Sequence, residues 1–207
     1  MNAPCVIFAG GEIRTDTVCI PEDAYLICAD RGVLAAQQLG LVPDHIVGDF
    51  DSLGYIPQYE GADIHPVQKD DTDTMLAVKH VCEKGFSEVF IYGALGGRLD
   101  HTIANLQALR YLAERGITGT LLDENNRVTM QKGDSVRRYR RCEGWYFSLL
   151  SFSEACTGVS VAGAEYPLHA AVLTQGFPLG VSNHITADYA EVSLQTGYLL
   201  VMESRDF

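Results

Sequence analysis

The sequence predicts an α/β fold, a mostly parallel sheet with helices on both faces, followed by a C-terminal all-β sandwich. Three observations carry this. Up to about Gln131, apolar strand-like runs alternate with helical segments, the pattern of strand-helix-strand units. After Gly133 the runs become short, β-branched and punctuated by Gly and Pro, with no helical period. The chain has 207 residues, 47% of them hydrophobic, enough to bury a real core as one large domain or two small ones. The expected domains are therefore 1–133 and 134–207.

The elements follow in order. "CVIFAGG" and "AYLICAD" are apolar runs that end in glycine or in an acid, and both read as buried strands. "GVLAAQQLG" is helical, and "HIVGDFDS" passes from strand to loop. "TDTMLAVKHVCEKG" has helical spacing, with Thr72 able to cap its start and Gly85 to stop it. A strand "EVFIYGA" and a helix from about Asp100 to Arg115 come next. "GTLLDENNRVTMQKG" reads as two strands around a turn at Glu124 to Asn126. Beyond it, "SVRRYRRCEG" is a basic, turn-ended segment, and the remaining runs have strand character.

Composition excludes several classes. The formal charge of −12 opposes nucleic-acid binding, which relies on Lys and Arg against phosphates. No apolar run approaches the ~20 residues that span a bilayer, so no membrane partner is expected. The opening "MNAPCVIFAGG" has neither the basic region nor the apolar length of a signal peptide, so the expected location is cytoplasmic. Cys5, Cys19, Cys28, Cys82, Cys142 and Cys156 are scattered without a CxxC pair and read as reduced thiols.

Acids gather where the strands end, which is where open α/β sheets bind ligands. Asp30 ends "AYLICAD", Asp49 and Asp51 end "HIVGDFD", Asp70, Asp71 and Asp73 lie in "QKDDTD", and Asp100 lies in "GALGGRLDH". Singly, each has an ordinary structural reading: Asp70 or Asp71 as a helix cap, Asp51 as a turn residue. Together they are harder to explain. Two carboxylates ~6 Å apart at an effective dielectric of ~20 repel by about 3 kcal/mol, so several such pairs need a neutralising partner. With no histidine or cysteine at ligand spacing, oxygen-only donors point to a hard cation such as Mg²⁺, held with substrate phosphates. Positions i and i+2 of an extended chain project to one side, so Asp49 and Asp51 can share a metal.

The second signal is "GALGGRLDHTIAN". Gly93, Gly96 and Gly97 let backbone N–H groups approach a phosphate, Arg98 offers a fork of donors, and the following helix adds its positive end. No GK[ST] follows, and the GxGxxG pattern is absent. His101 reads equally as a phosphate donor or a first-turn helix residue. Lys69 can neutralise a phosphate or pair with Asp70 or Asp71. On residue character alone, Tyr166 reads as packing and the Ser182–Asn183 pair as a turn.

Taken in order, "ADRG", "PDHIVGDFDS", "QKDDTD" and "GALGGRLDHTIAN" resemble the motifs of the thiamin pyrophosphokinase family, bacterial type. The likeness continues through "LLDENNRV" to "GAEYPL" and "GVSNH", nearly the whole chain. The resemblance implies an α/β catalytic, nucleotide-binding domain, a thiamin-binding β-sandwich and a homodimer. It implies transfer of a diphosphate from ATP, the co-substrate, to thiamin with Mg²⁺, giving thiamin diphosphate and AMP. By position, Asp49, Asp51, Asp70 and Asp73 match catalytic acids, with Asp49, Asp51 and Asp73 at the metal. Asp30, Lys69, Gly96, Gly97, Arg98, Asp100 and His101 match nucleotide-side positions, and Tyr166, Ser182 and Asn183 match the thiamin pocket. Two departures stand out: Arg31 replaces the usual Gly of ADGG, and Ala164-Glu165 replace Leu-Lys before Tyr166.

The mechanism implied is in-line attack of the thiamin hydroxyl on the β-phosphorus, with Asp70 or Asp73 accepting the proton. The residues alone leave other readings open. These are a diphosphokinase for another heterocyclic alcohol such as a hydroxymethylpterin, a non-catalytic nucleotide or thiamin diphosphate sensor, and a metal-dependent phosphohydrolase.

Overall fold

The computed structural model describes residues 3–50, 53–55, 59, 62–64 and 70–206. The chain divides into two compact units, 1–124 and 125–207. The division falls nine residues before the compositional change at Gly133, because the strand following Asn125 pairs with the last strand of the chain.

The first unit holds β1 (Cys5–Phe8), β2 (Tyr25–Ala29), α1 (Gly32–Gln38), β3 (His45–Gly48), β4 (Ala62–Ile64), α2 (Asp73–Lys84), β5 (Glu88–Tyr92), α3 (Leu99–Glu114) and β6 (Thr118–Leu122). Its strands run parallel in the order β6-β5-β1-β2-β3-β4. The chain steps outward from β1 to β4, then returns to the other side of β1 for β5 and β6. This reversal makes the β1/β5 edge the switch point, where such sheets bind ligands.

Alternation along the strands sorts the two faces. Val6 and Phe8 of β1, Leu26 and Cys28 of β2 and Ile46 of β3 pack with Val33, Ala35 and Ala36 of α1. α2 and α3 pack on each other, and Leu109 and Leu112 of α3 lie against Gly119 of β6. Thr72 caps α2 by accepting from the Met75 N–H at 3.1 Å, and Gly85 ends it in the left-handed conformation at φ 76°. None of the six cysteines is paired, and burial pushes the Cys28 thiol up to about 12, as befits an inert core residue.

At the opposite, amino-terminal rim, His45 of β3 and His80 of α2 stack with ring centroids 3.9 Å apart, and the Tyr25 hydroxyl lies 3.5 Å from His80 Nε2. Burial, His45 and Lys84 lower the His80 pKa, against smaller opposing contributions from Glu83 and Asp63. A histidine with a depressed folded pKa binds its proton less well than in the unfolded chain. Its contribution to stability is therefore full above about pH 6.5 and is lost as the pH falls through the folded value. Urea unfolding at pH 7.5 and pH 5.5 should show lower stability in acid. A His80→Gln variant should narrow that difference, and an identical pH dependence in both proteins would reject the assignment.

The second unit is all β among its described residues: β7 (Asn126–Lys132), β8 (Ser135–Arg140), β9 (Tyr146–Ser151), β10 (Ala155–Ala162), β11 (Leu168–Thr174), β12 (Gly180–Asn183), β13 (Tyr189–Leu194) and β14 (Tyr198–Ser204). Strands β12-β9-β14-β7 pair on one side and β11-β10-β13-β8 on the other, all antiparallel where registered. The inward residues, among them Phe147, Leu149, Val159, Val192, Leu199 and Val201, form one core between them, as in a sandwich. Within it, Gln131 is fully buried; it accepts from the Tyr139 hydroxyl at 3.1 Å and donates to the Val192 carbonyl at 3.1 Å, tying the two sheets. The basic segment read as turn-ended is strand β8, whose Tyr139 points inward and whose Arg138 pairs with Glu191 of β13.

Candidate active site

The carboxyl ends of β3, β2, β1 and β5 form a continuous rim, and glycines decide how closely their exits approach. Asp30 follows β2 in the left-handed conformation (φ 48°), and its N–H donates to the Val47 carbonyl at 2.9 Å. Its carboxylate lies against Gly10 at the end of β1, where an added Cβ would sit 3.4 Å from Asp30 Oδ2. Gly11 meets the β5 exit: its N–H donates to the Gly93 carbonyl at 3.0 Å, and a Cβ there would lie 2.3 Å from that oxygen. In the sequence the only sign of this approach is a double glycine, Gly10–Gly11, immediately after a buried strand.

Gly48 ends β3 at φ 150°. A Cβ on it would lie 3.3 Å from the Asp30 Cα and 3.4 Å from Asp73 Oδ1. The Asp73 carboxylate and the Asp30 backbone therefore meet at Gly48, although 43 positions separate the two residues, while the Asp30 carboxylate faces Gly10. Asp49 follows, half-buried, and then Phe50, which is 1% exposed and left-handed at φ 57°. Phe50 belongs to the core beneath α1. The extended geometry expected over Asp49 to Asp51 is therefore absent at Phe50, because the chain turns to bury that ring. Asp51 and Lys69 lie outside the described residues.

The acidic run before α2 separates into distinct roles. Asp70 is exposed, Asp71 forms an ion pair with Lys79 at 2.6 Å, Thr72 caps the helix, and Asp73 reaches Gly48. Among the described residues, no group of three or more His, Cys, Asp or Glu side chains is arranged to hold a metal.

At the β5 exit, Gly93, Gly96 and Gly97 all have positive φ (70°, 76° and 61°), which a side chain would resist. α3 holds this turn: Asn105, 7% exposed, donates to the Ala94 carbonyl at 2.7 Å, and Thr102 donates to the Gly96 carbonyl at 3.1 Å. In the sequence the sign of this support is only an Asn four positions after His101, on the same helical face. Arg98 is exposed and grips Asp100 through two bonds, 2.6 and 3.1 Å, and Asp100 also accepts from the His101 N–H at 3.0 Å. The hydrogen bond from Arg98 is the main cause that holds the Asp100 carboxyl below its ordinary range. The His101 side chain is exposed.

Arg31, which departs from the resembled motif, has ordinary right-handed angles (φ −63°, ψ −11°) and is exposed. The left-handed position is Asp30, and the close approach is at Gly32, so the turn tolerates Arg31. In the second unit, Tyr166 is 61% exposed, Ser182 is exposed and left-handed (φ 61°), and Asn183 is buried against the Tyr166 backbone. The structure thus brings Tyr166 and Asn183 together within that unit.

A parallel sheet with carboxylates and glycine turns at its switch point, followed by a β sandwich, defines an α/β protein with a ligand site at the carboxyl ends of its strands. Two family models match this chain: thiamin pyrophosphokinase, catalytic domain, over residues 19–121, and thiamin pyrophosphokinase, vitamin B1 binding domain, over residues 134–199. The chain belongs to the thiamin pyrophosphokinase family. It is 28% identical over 191 residues to a thiamine pyrophosphokinase of Bacillus subtilis, covering 89% of each chain. A solved B. subtilis thiamine pyrophosphokinase superposes with a TM-score of 0.89 at 28% identity, covering 99% of this chain and 100% of that one. A Geobacillus thermodenitrificans thiamin pyrophosphokinase superposes with a TM-score of 0.85 at 26% identity, covering 98% and 97%.

Proposed function

We propose that this chain transfers a diphosphate group from ATP to thiamin, giving thiamin diphosphate and AMP. The observation that carries the reading is the rim itself, with the Asp73 carboxylate at Gly48 beside the Asp30 backbone, the Asp30 carboxylate at Gly10, and Gly10 and Gly11 continuing to the Gly93–Gly97 turn. The donor chemistry there is oxygen only, which fits Mg²⁺, and Asp49, Asp51 and Asp73 would hold it. Bound there, Mg²⁺ would supply neutralisation of the charge on the ATP phosphates.

The chain's own groups account for the rest. Backbone N–H groups at Gly96 and Gly97, the start of α3 and the Arg98 guanidinium receive phosphate oxygens, and Asp100 keeps Arg98 oriented. Lys69 and His101 are further phosphate donors on the nucleotide side, and Asp30 fixes the β2 exit. The thiamin hydroxyl oxygen forms a bond to the β-phosphorus while the bond from that phosphorus to the α,β-bridging oxygen breaks, and AMP leaves with that oxygen. The hydroxyl proton goes to a carboxylate on the approach to α2. Asp73, held at the rim, is better placed than the exposed Asp70. Tyr166 and Ser182 face thiamin, whose cationic ring suits both an aromatic face and an acidic protein. We further propose a cytoplasmic homodimer of two domains, 1–133 catalytic and 134–207 thiamin-binding; light scattering should return twice the chain mass. No helix among the described residues is long and apolar enough to cross a membrane.

Incubation with ATP, Mg²⁺ and thiamin should yield AMP and thiamin diphosphate, and a chelator should stop the reaction until Mg²⁺ is restored. ADP as the nucleotide product would overturn β-phosphorus attack. AMP formed with a hydroxymethylpterin and not with thiamin would move the substrate to the other heterocycle.

A further inference from the structure

Asn183 has its side-chain amide committed to the chain itself. The carboxamide Oδ1 accepts from the N–H of Tyr166 at 3.0 Å and from the N–H of His184 at 2.8 Å, and Nδ2 donates to the Tyr166 carbonyl at 2.8 Å. The side chain is 8% exposed, and one N–H of its four hydrogen-bonding capacities remains. The orientation of the amide follows from its partners, since a backbone N–H can only donate and a carbonyl only accept.

The local pairing explains why an Asn stands here. Ala164 and Ile185 form an antiparallel bridge, and Glu165 N–H donates to the His184 carbonyl at 2.9 Å, so Tyr166 lies opposite Asn183 in register. Pro167 follows Tyr166 and has no N–H, so the backbone ladder cannot continue to the next pair, 167 and 182. There the Asn183 side chain holds the segment by bonding both backbone groups of Tyr166. Its inward direction comes from a bulge one residue earlier. Gly180 pairs with Leu149 and Asn183 with Phe147, three positions on β12 against two on β9. The extra residue is accommodated at left-handed Ser182, whose N–H donates to the Ser148 hydroxyl at 3.0 Å. The bulge shifts the alternation of β12, so Ser182 is exposed and Asn183 is buried.

We infer that Asn183 is a positioning residue: it does not touch thiamin but fixes the backbone that presents the exposed Tyr166 ring. This rests on thiamin being the substrate. The test compares the parent, Asn183→Ala, Tyr166→Ala and the double variant, with KM measured for thiamin and ATP. Hydrogen exchange at the Tyr166 and His184 amides is measured without substrate. Asn183→Ala should raise the thiamin KM about tenfold and leave the ATP KM within about twofold, and the double variant should be no worse than Tyr166→Ala alone. Exchange at both amides should quicken. Losses that multiply in the double variant would mean that Asn183 meets thiamin independently, and unchanged exchange would mean that it holds nothing; either overturns the inference. Should the alanine variant fail to fold, Asn183→Asp keeps both accepted bonds and removes the donated one. It should shift thiamin KM and exchange in the same direction, and no shift in either overturns the inference. A parent chain that forms no AMP with thiamin removes the substrate reading, and the exchange result alone then decides the clamp.

Discussion

An Asp73→Asn variant is expected to lose about 10³-fold in turnover while unfolding at nearly the same urea midpoint as the parent, in line with removal of one charge from a preorganised site. The carboxylate sits at the first position of α2 with Oδ1 against Gly48, beside the left-handed turn at Asp30. Losing the charge at a helix start costs about 0.3–1 kcal/mol, small beside the stability of a domain. Asp71→Asn, two residues away, provides the contrast. Asp71 is engaged by Lys79, so turnover should stay within about twofold. Turnover measured as AMP release, with unfolding followed by circular dichroism, separates the two. Near-parental activity in Asp73→Asn, or equal losses in both variants, would reject the assignment of Asp73.

Gly32→Ala is expected to be the most damaging small substitution, with a loss of about 4 kcal/mol or more, enough to unfold a marginal domain. A Cβ on Gly32 would lie 1.9 Å from the Phe8 carbonyl oxygen and 2.5 Å from its carbon. Those atoms cannot withdraw, because β1 is paired on both sides, to β2 and to β5. Backbone, not a flexible side chain, is in the way, so α1 would have to leave the sheet. Arg31→Gly next to it should cost no more than about 1 kcal/mol, since Arg31 is exposed and in an ordinary helical conformation. Urea unfolding of both variants reads the difference. A Gly32→Ala loss below about 1 kcal/mol would show that the α1–β1 contact is looser than these distances require.

Much of the first unit was legible because local signals agreed with tertiary ones. α2 starts at its Thr cap and stops at Gly85, and α3 runs from Leu99 to Glu114 against an expected span of Asp100 to Arg115. The gathering of acids at strand ends was legible for the same reason, since burial ends where the charges begin. Which acid of "QKDDTD" turns toward the sheet was not, because that depends on where Gly48 leaves room, 25 positions earlier in the chain. In the sandwich, the paired Ser182–Asn183 read as a turn and is the bulged end of β12. Its left-handed residue fits the turn-like sequence, but the partner that turns Asn183 inward lies across the sheet in β9. The amide clamp on Tyr166 was invisible for a similar reason: it needs the register of two segments 17 positions apart.

The anchoring of Phe50 beneath α1 has a genetic corollary. Because that ring sets where the chain leaves β3, lesions on the apolar side of α1, at Val33 or Ala36, would surface in a growth screen as loss of folded protein and, in what still folds, as loss of enzyme output. Revertants of such alleles would then be sought among the residues lining the Phe50 ring, with the acids themselves unaltered.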